Sequence, residues 1–133
     1  LLLLTSCTPN YWNGKKPKTQ AEKFADEACD CLYSELKKDG IGVDSLIASY
    51  DKYFENTDQE AGRIIAEDYE AKFPAELKIV KRVWKYMDEN VERGCFAEIE
   101  TKAKELAASE EISNSDLRDS FLSRCKLAPF IDK

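Results

Sequence analysis

The chain has 133 residues, 43% hydrophobic and 35% charged, with a net charge of −6; that size makes one domain with a core, and that balance excludes disorder. It has no histidine, which removes His-dependent triads, His-ligated metals and haem, and imidazole acid–base catalysis. Five Gly and four Pro leave too few turn signals for a sandwich or barrel of short strands, and no apolar run approaches the ~20 residues that span a bilayer.

The chain opens Leu1-Leu2-Leu3-Leu4-Thr5-Ser6-Cys7, an apolar run ending in small residues, as at the tail of a secretory signal. Leu4-Thr5-Ser6-Cys7 resembles the lipobox of bacterial lipoproteins, an aliphatic residue three before the cysteine and then two small residues. The resemblance implies that the Cys7 sulfur receives a diacylglyceryl group, that residues 1–6 are a signal remnant cut away before Cys7, and that the new N-terminus is acylated. No initiator Met or basic region precedes the run, so the expected precursor is longer. In general character the sequence is similar to small Bacteroidetes outer-membrane lipoproteins, with no specific family indicated for the helical body. Thr8 is not the aspartate that marks inner-membrane retention in enterobacteria, and no acidic run follows Cys7, so the resemblance implies the outer membrane with the body facing the periplasm.

Residues 7–18 are rich in Pro, Asn, Gly and Lys and read as a lipidated tether. Tyr11 and Trp12 are placed either to sit at the headgroup level or to dock on the protein's own body. The tether carries +3 from Lys15, Lys16 and Lys18, whereas residues 19–133 hold 17 basic and 26 acidic residues, −9. A basic neck is drawn to an anionic lipid surface and an acidic body is repelled from it. That acidity also argues against a nucleic-acid partner.

From residue 19 onward the period is helical. Thr19-Gln20-Ala21-Glu22 forms a capping-box pattern, followed by a stripe of Ala21, Phe24, Ala25, Ala28, Leu32 and Leu36. Gly40 and Gly42 end that segment, and Asp44 is a candidate cap for the next, which carries Leu46, Ile47, Tyr50, Tyr53 and Phe54. Thr57-Asp58-Gln59-Glu60 is a second capping pattern before Ala61, Ile64, Ile65, Tyr69 and Phe73, and Pro74 suits the first turn of a further helix. Leu77, Val80, Trp84, Met87 and Val91 continue as Phe96, Ile99, Ala103 and Leu106 past Gly94. Because Asp88, Glu89 and Glu92 would crowd a helix C-terminus, the expectation is one long bent helix over 75–108. Ser113 or Ser115 caps a last helix through Leu117, Phe121, Leu122 and Cys125, ended by Pro129. The fold class is therefore all-α: a disulfide-braced bundle of five or six helices, residues 19–133, preceded by the tether.

With Cys7 set aside, Cys29, Cys31, Cys95 and Cys125 remain. Two residues apart on a helix is ~200° around its axis, so Cys29 and Cys31 cannot pair with each other without breaking the helix. Each is expected to staple the first helix to a different partner, leaving 29–95/31–125 and 29–125/31–95 open. Opposed cysteines are badly placed for the converging thiolates of a zinc site.

Lys78, Lys81, Arg82 and Lys85 fall within ~100° of one helix face, a basic stripe on an acidic body. Trp84 follows the core stripe, so Tyr86 is the better candidate for an exposed contact. The carboxylates Glu67, Asp68 and Glu70 share one helical surface, and nothing in their spacing sets up acid–base chemistry across a cleft. No phosphate loop, nucleophile elbow or EF-hand loop is present. The expected function is therefore non-enzymatic, with no catalytic residue, metal, cofactor beyond the lipid on Cys7, or small-molecule substrate. It is an accessory or structural subunit held at the membrane beside an envelope protein partner. The alternative is an immunity or inhibitor protein that neutralises a toxin or hydrolase.

Overall fold

The computed structural model describes residues 9–13, 16–55, 64, 66–109 and 112–131. The Leu4–Cys7 motif and the Thr57–Glu60 cap lie outside them. Among these residues seven helices follow in order: α1 (Gln20–Lys38), α2 (Val43–Glu55), α3 (Ala66–Lys72), α4 (Glu76–Asn90), α5 (Gly94–Ala108), α6 (Asn114–Arg124) and the single turn α7 (Ala128–Ile131). Among the described residues the one non-helical pairing is an isolated antiparallel bridge between Trp12 and Cys125. The fold is the expected disulfide-braced all-α bundle, with seven helices among the described residues in place of five or six.

The helix starts with local chemistry behave as read. Thr19 accepts from the Glu22 amide while the Glu22 carboxylate takes the Thr19 and Lys18 amides, satisfying donors that the first turn leaves unpaired. Ser113 and Asp116 do the same for α6. At its other end α1 closes in a Schellman motif: the Gly40 amide bonds to the Lys37 carbonyl and the Ile41 amide to that of Leu36. Gly40 sits at φ +77°, a left-handed conformation that costs glycine nothing.

Other boundaries differ from the expectation. Asp44 lies inside the first turn of α2 and accepts from Tyr33 Oη at 2.9 Å and Lys37 Nζ at 3.2 Å, so it does not cap α2. Pro74 occupies the turn between α3 and α4, ahead of the first helical residue, and Pro129 falls within α7 rather than ending α6. The long helix over 75–108 is two helices, broken at 91–93, with Gly94 at φ +53°. A straight helix of that span would run ~50 Å, against a radius of gyration of about 14 Å for a folded chain of this length. Its second apolar stripe reaches α1 only by turning back.

α1 is the axis of the bundle, packed on α6 and α5 and, at its C-terminal end, on α2. The larger core joins Leu32 and Leu36 of α1 to Val43, Leu46, Ile47, Tyr50 and Tyr53 of α2, Val80 and Val83 of α4, and Leu127 and Phe130 near α7. Tyr69 of α3 packs against Tyr53, Phe73 and Phe130 at centroid separations of 5.0–6.0 Å, and its hydroxyl lies 2.6 Å from Ser49 Oγ. Burial pushes the Tyr69 pKa up to about 12. A smaller cluster of Ala21, Phe24 and Leu117 has Ile99, Ala103, Leu106 and Ile112 around it. No residue of α5 itself is buried.

Candidate functional site

The four cysteines of the body form two bridges, Cys29–Cys125 and Cys31–Cys95, with Cα separations of 5.5 and 6.0 Å. This resolves the two open connectivities: the first bridge ties α1 to the C-terminus of α6, the second ties it to the start of α5. Around Cys29–Cys125 the chain is clamped further. Arg124, next to Cys125, forms a buried bidentate pair with Asp26, one turn before Cys29, both bonds at 2.9 Å. The Asp26 carboxylate holds the Arg124 guanidinium pKa above its ordinary value against the opposing effect of burial, and Glu22 assists at 3.7 Å. Arg124 and Asp26 escaped the sequence reading because charged residues beside a cysteine look solvated. The signal was there: each flanks one end of a bridge, so closing the bridge brings them together.

Residues 11–13, assigned to the tether, are part of this clamp. The Asn13 amide bonds to the Arg124 carbonyl at 2.6 Å and the Lys126 amide to the Tyr11 carbonyl at 2.9 Å. Trp12 Nε1 donates to Asp30 at 2.8 Å, and Asn13 Nδ2 reaches Tyr50 Oη at 2.9 Å. Tyr11 stacks on Tyr33 at 4.0 Å and 15°. Burial, with the hydrogen bond and charge of Asp30, pushes the Tyr11 pKa up to about 12. Of the two placements open to Tyr11 and Trp12, the structure shows docking on the body. Cys7 lies outside the described residues.

The basic stripe is exposed on α4. Lys78, Lys81, Arg82 and Lys85 are all solvent-facing. Among the described residues none of the three lysines joins an ion pair, not even Lys85 with Glu89 one turn on. Arg82 donates to the Gly40 carbonyl at 3.5 Å. Behind the stripe, Val80 and Val83 anchor α4 in the core, and Trp84 Nε1 bonds to the Phe130 carbonyl. The stripe therefore projects from a rigid support. Tyr86 does not share this face: it is half-buried, its hydroxyl donates to Glu35 at 3.1 Å and its ring meets Phe96 edge-on. Burial, then the hydrogen bond to Glu35, raises its pKa. The reading missed this because Glu35, across the interface on α1, has no mark in the α4 sequence.

A cavity of about 310 Å³ lies between α1, α4, α5, α6 and α7. Its walls are apolar, from Phe24 and Ala28 of α1, Met87 of α4, Phe96 and Ile99 of α5 and Phe121 of α6, and its one charged lining residue is Arg118. In the sequence the apolar lining positions fall on core stripes, and nothing there separates them from a cavity wall. Among the described residues no group of three or more Cys, Asp or Glu is placed to hold a metal ion.

Comparison of the chain with protein-family models, with curated proteins and with solved structures finds no match.

Proposed function

We propose that this protein is a lipid-anchored accessory subunit of the outer membrane, facing the periplasm, whose α4 stripe docks an acidic protein of the envelope. The observation that carries the reading is the stripe itself: exposed cations on a chain of net charge −6, fixed on a well-packed helix and without carboxylate partners among the described residues. Such a face concentrates an acidic partner and orients it, mainly through the rate of encounter. Two supports stand beside it. The Leu4-Thr5-Ser6-Cys7 sequence resembles a lipobox, and two disulfides suit an oxidising compartment.

Docking of Tyr11 changes the expected reach. With Cys7 lipidated, three residues separate the anchor from Tyr11, four Cα–Cα steps and at most about 14 Å of extended chain. The body then rides against the headgroups, with the exposed Lys16 and Lys18 beside them, and a lateral partner meets it at high effective concentration.

The test captures the full-length protein from native membranes in mild detergent and identifies stoichiometric companions by mass spectrometry. It is repeated with Lys78→Glu, Lys81→Glu, Arg82→Glu and Lys85→Glu combined. The expected result is an acidic envelope protein in near-equal amount, released by raised salt and absent with the reversed stripe. Recovery of the protein alone, or a companion indifferent to the reversal, overturns the docking surface. A basic incoming toxin or hydrolase as companion turns the reading to immunity or inhibition. An intact mass without acyl groups on Cys7 removes the anchor.

A further inference from the structure

The apolar cavity beneath α5 goes beyond that reading and does not depend on it. We infer that it is a binding site for a single-chain anionic amphiphile, a fatty carboxylate whose tail enters the cavity and whose head is held by Arg118. At ~30 Å³ for a methylene-sized unit, the room one liquid water takes, 310 Å³ accommodates one chain of about ten carbons. It has no room for a second. Small-ligand sites are typically apolar cavities of this order with a few polar groups that fix orientation. Here Arg118, the one charged lining residue, is solvent-exposed, so the cavity reaches the surface where the cation stands. Tail and head are thus specified by different parts of one opening.

The wall is built to admit a ligand. α5 has no buried residue; a disulfide at its first turn and a surface ion pair, Lys102–Glu27 at 2.6 Å, tie it to α1. Met87 also lines the cavity, an unbranched and polarizable side chain that adapts to an irregular guest. Arginine presents five N–H donors in a planar fork, so Arg118 can take a carboxylate while keeping a contact of its own. The chain is acidic overall, and beyond about 10 Å salt screens that charge. Selection for an anion therefore rests on Arg118 locally.

Dodecanoate is the probe, titrated calorimetrically below its micellar range into the full chain carrying Cys7→Ser, which prevents acylation. Dodecyltrimethylammonium serves as the cationic control. Saturable 1:1 binding of dodecanoate is expected, with the trimethylammonium compound at least tenfold weaker. Arg118→Gln should weaken dodecanoate about tenfold by removing a charge-assisted pair while leaving dodecanol binding unchanged. Ala28→Phe, which fills the cavity, should abolish binding of both. Ile99→Phe fills it from α5 and guards against a misfolded first variant, circular dichroism and the thiol count reporting the fold. No saturable binding, equal affinity for the cation, or binding that survives both filling substitutions overturns the site.

Discussion

Two bridges leave α1 from residues 29 and 31, yet they hold regions of opposite character. Cys29 and Cys125 are fully buried, surrounded by the Asp26–Arg124 pair and the residue 11–13 clamp. Cys95 is partly exposed and opens a helix with no buried residue. The first bridge reinforces a site that packing already defines; the second holds in place a helix that packing alone would leave weakly docked. Local stability follows buried apolar contact, so the same covalent bond does different work on the two sides of one helix.

The largest expected effect separates them directly. Removing the buried bridge by Cys29→Ala with Cys125→Ala frees a 96-residue separation and should lower the unfolding free energy by about 4–5 kcal/mol, read from urea denaturation. Cys31→Ala with Cys95→Ala should cost less globally and show first as lost hydrogen-exchange protection confined to α5. Equal, global losses in both variants would erase the distinction. Next, Asp26→Ala strands Arg124 in a buried setting and should cost about 3–5 kcal/mol. Leu36→Ala, at 0% exposure, should cost about 2–5 kcal/mol, whereas Leu106→Ala on α5 should cost about 1 kcal/mol. Gly94→Ala, at φ +53°, should cost about 1–2 kcal/mol, again read most clearly in α5.

The smallest effect is alkaline. Tyr11 and Tyr69 have pKa values raised to about 12, from an ordinary value near 10 in the unfolded chain. The folded state binds those protons more tightly, so their contribution is complete below about pH 10 and declines as pH rises toward 12. Urea midpoints should fall across that window, and tyrosinate absorbance should show a delayed fraction of the six tyrosines. Tyr11→Phe should remove part of the delay at the clamp and leave the Tyr69 part, in the larger core, intact.

What the sequence disclosed tracks the range of the interactions involved. The Thr19 cap, an α6 start at Ser113 or Ser115, the Gly40 stop and the α1 stripe are legible because they rest on local spacing and on cap partners within about one turn. The two admissible disulfide patterns followed from the angle between Cys29 and Cys31, but the choice between them depends on where α5 and α6 lie around α1. The break at 91–93 departs from the expected single helix for a related reason. Asp88, Glu89 and Glu92 weigh tenths of a kcal/mol each against a helix end, while the gain from folding Ile99, Ala103 and Leu106 back onto α1 is non-local. At the candidate sites, the basic stripe was visible as a pattern on one face. The Arg118 cavity was not, since its lining comes from five helices and alternates with core positions in each.

The nesting of the bridges, 31–95 inside 29–125, bears on how the molecule is made. In a chain made from its N-terminus Cys29 and Cys31 are the first pair of body thiols to appear, and before α1 forms nothing in the chain prevents their union. Neither native partner exists until 64 and 96 residues later. Maturation therefore includes a choice between waiting reduced and being corrected by thiol exchange, and a cell without a disulfide isomerase should accumulate the 29–31 species. Early formation of α1 is its safeguard: once the Thr19 cap nucleates the helix, the two sulfurs face opposite ways and the wrong bond is out of reach.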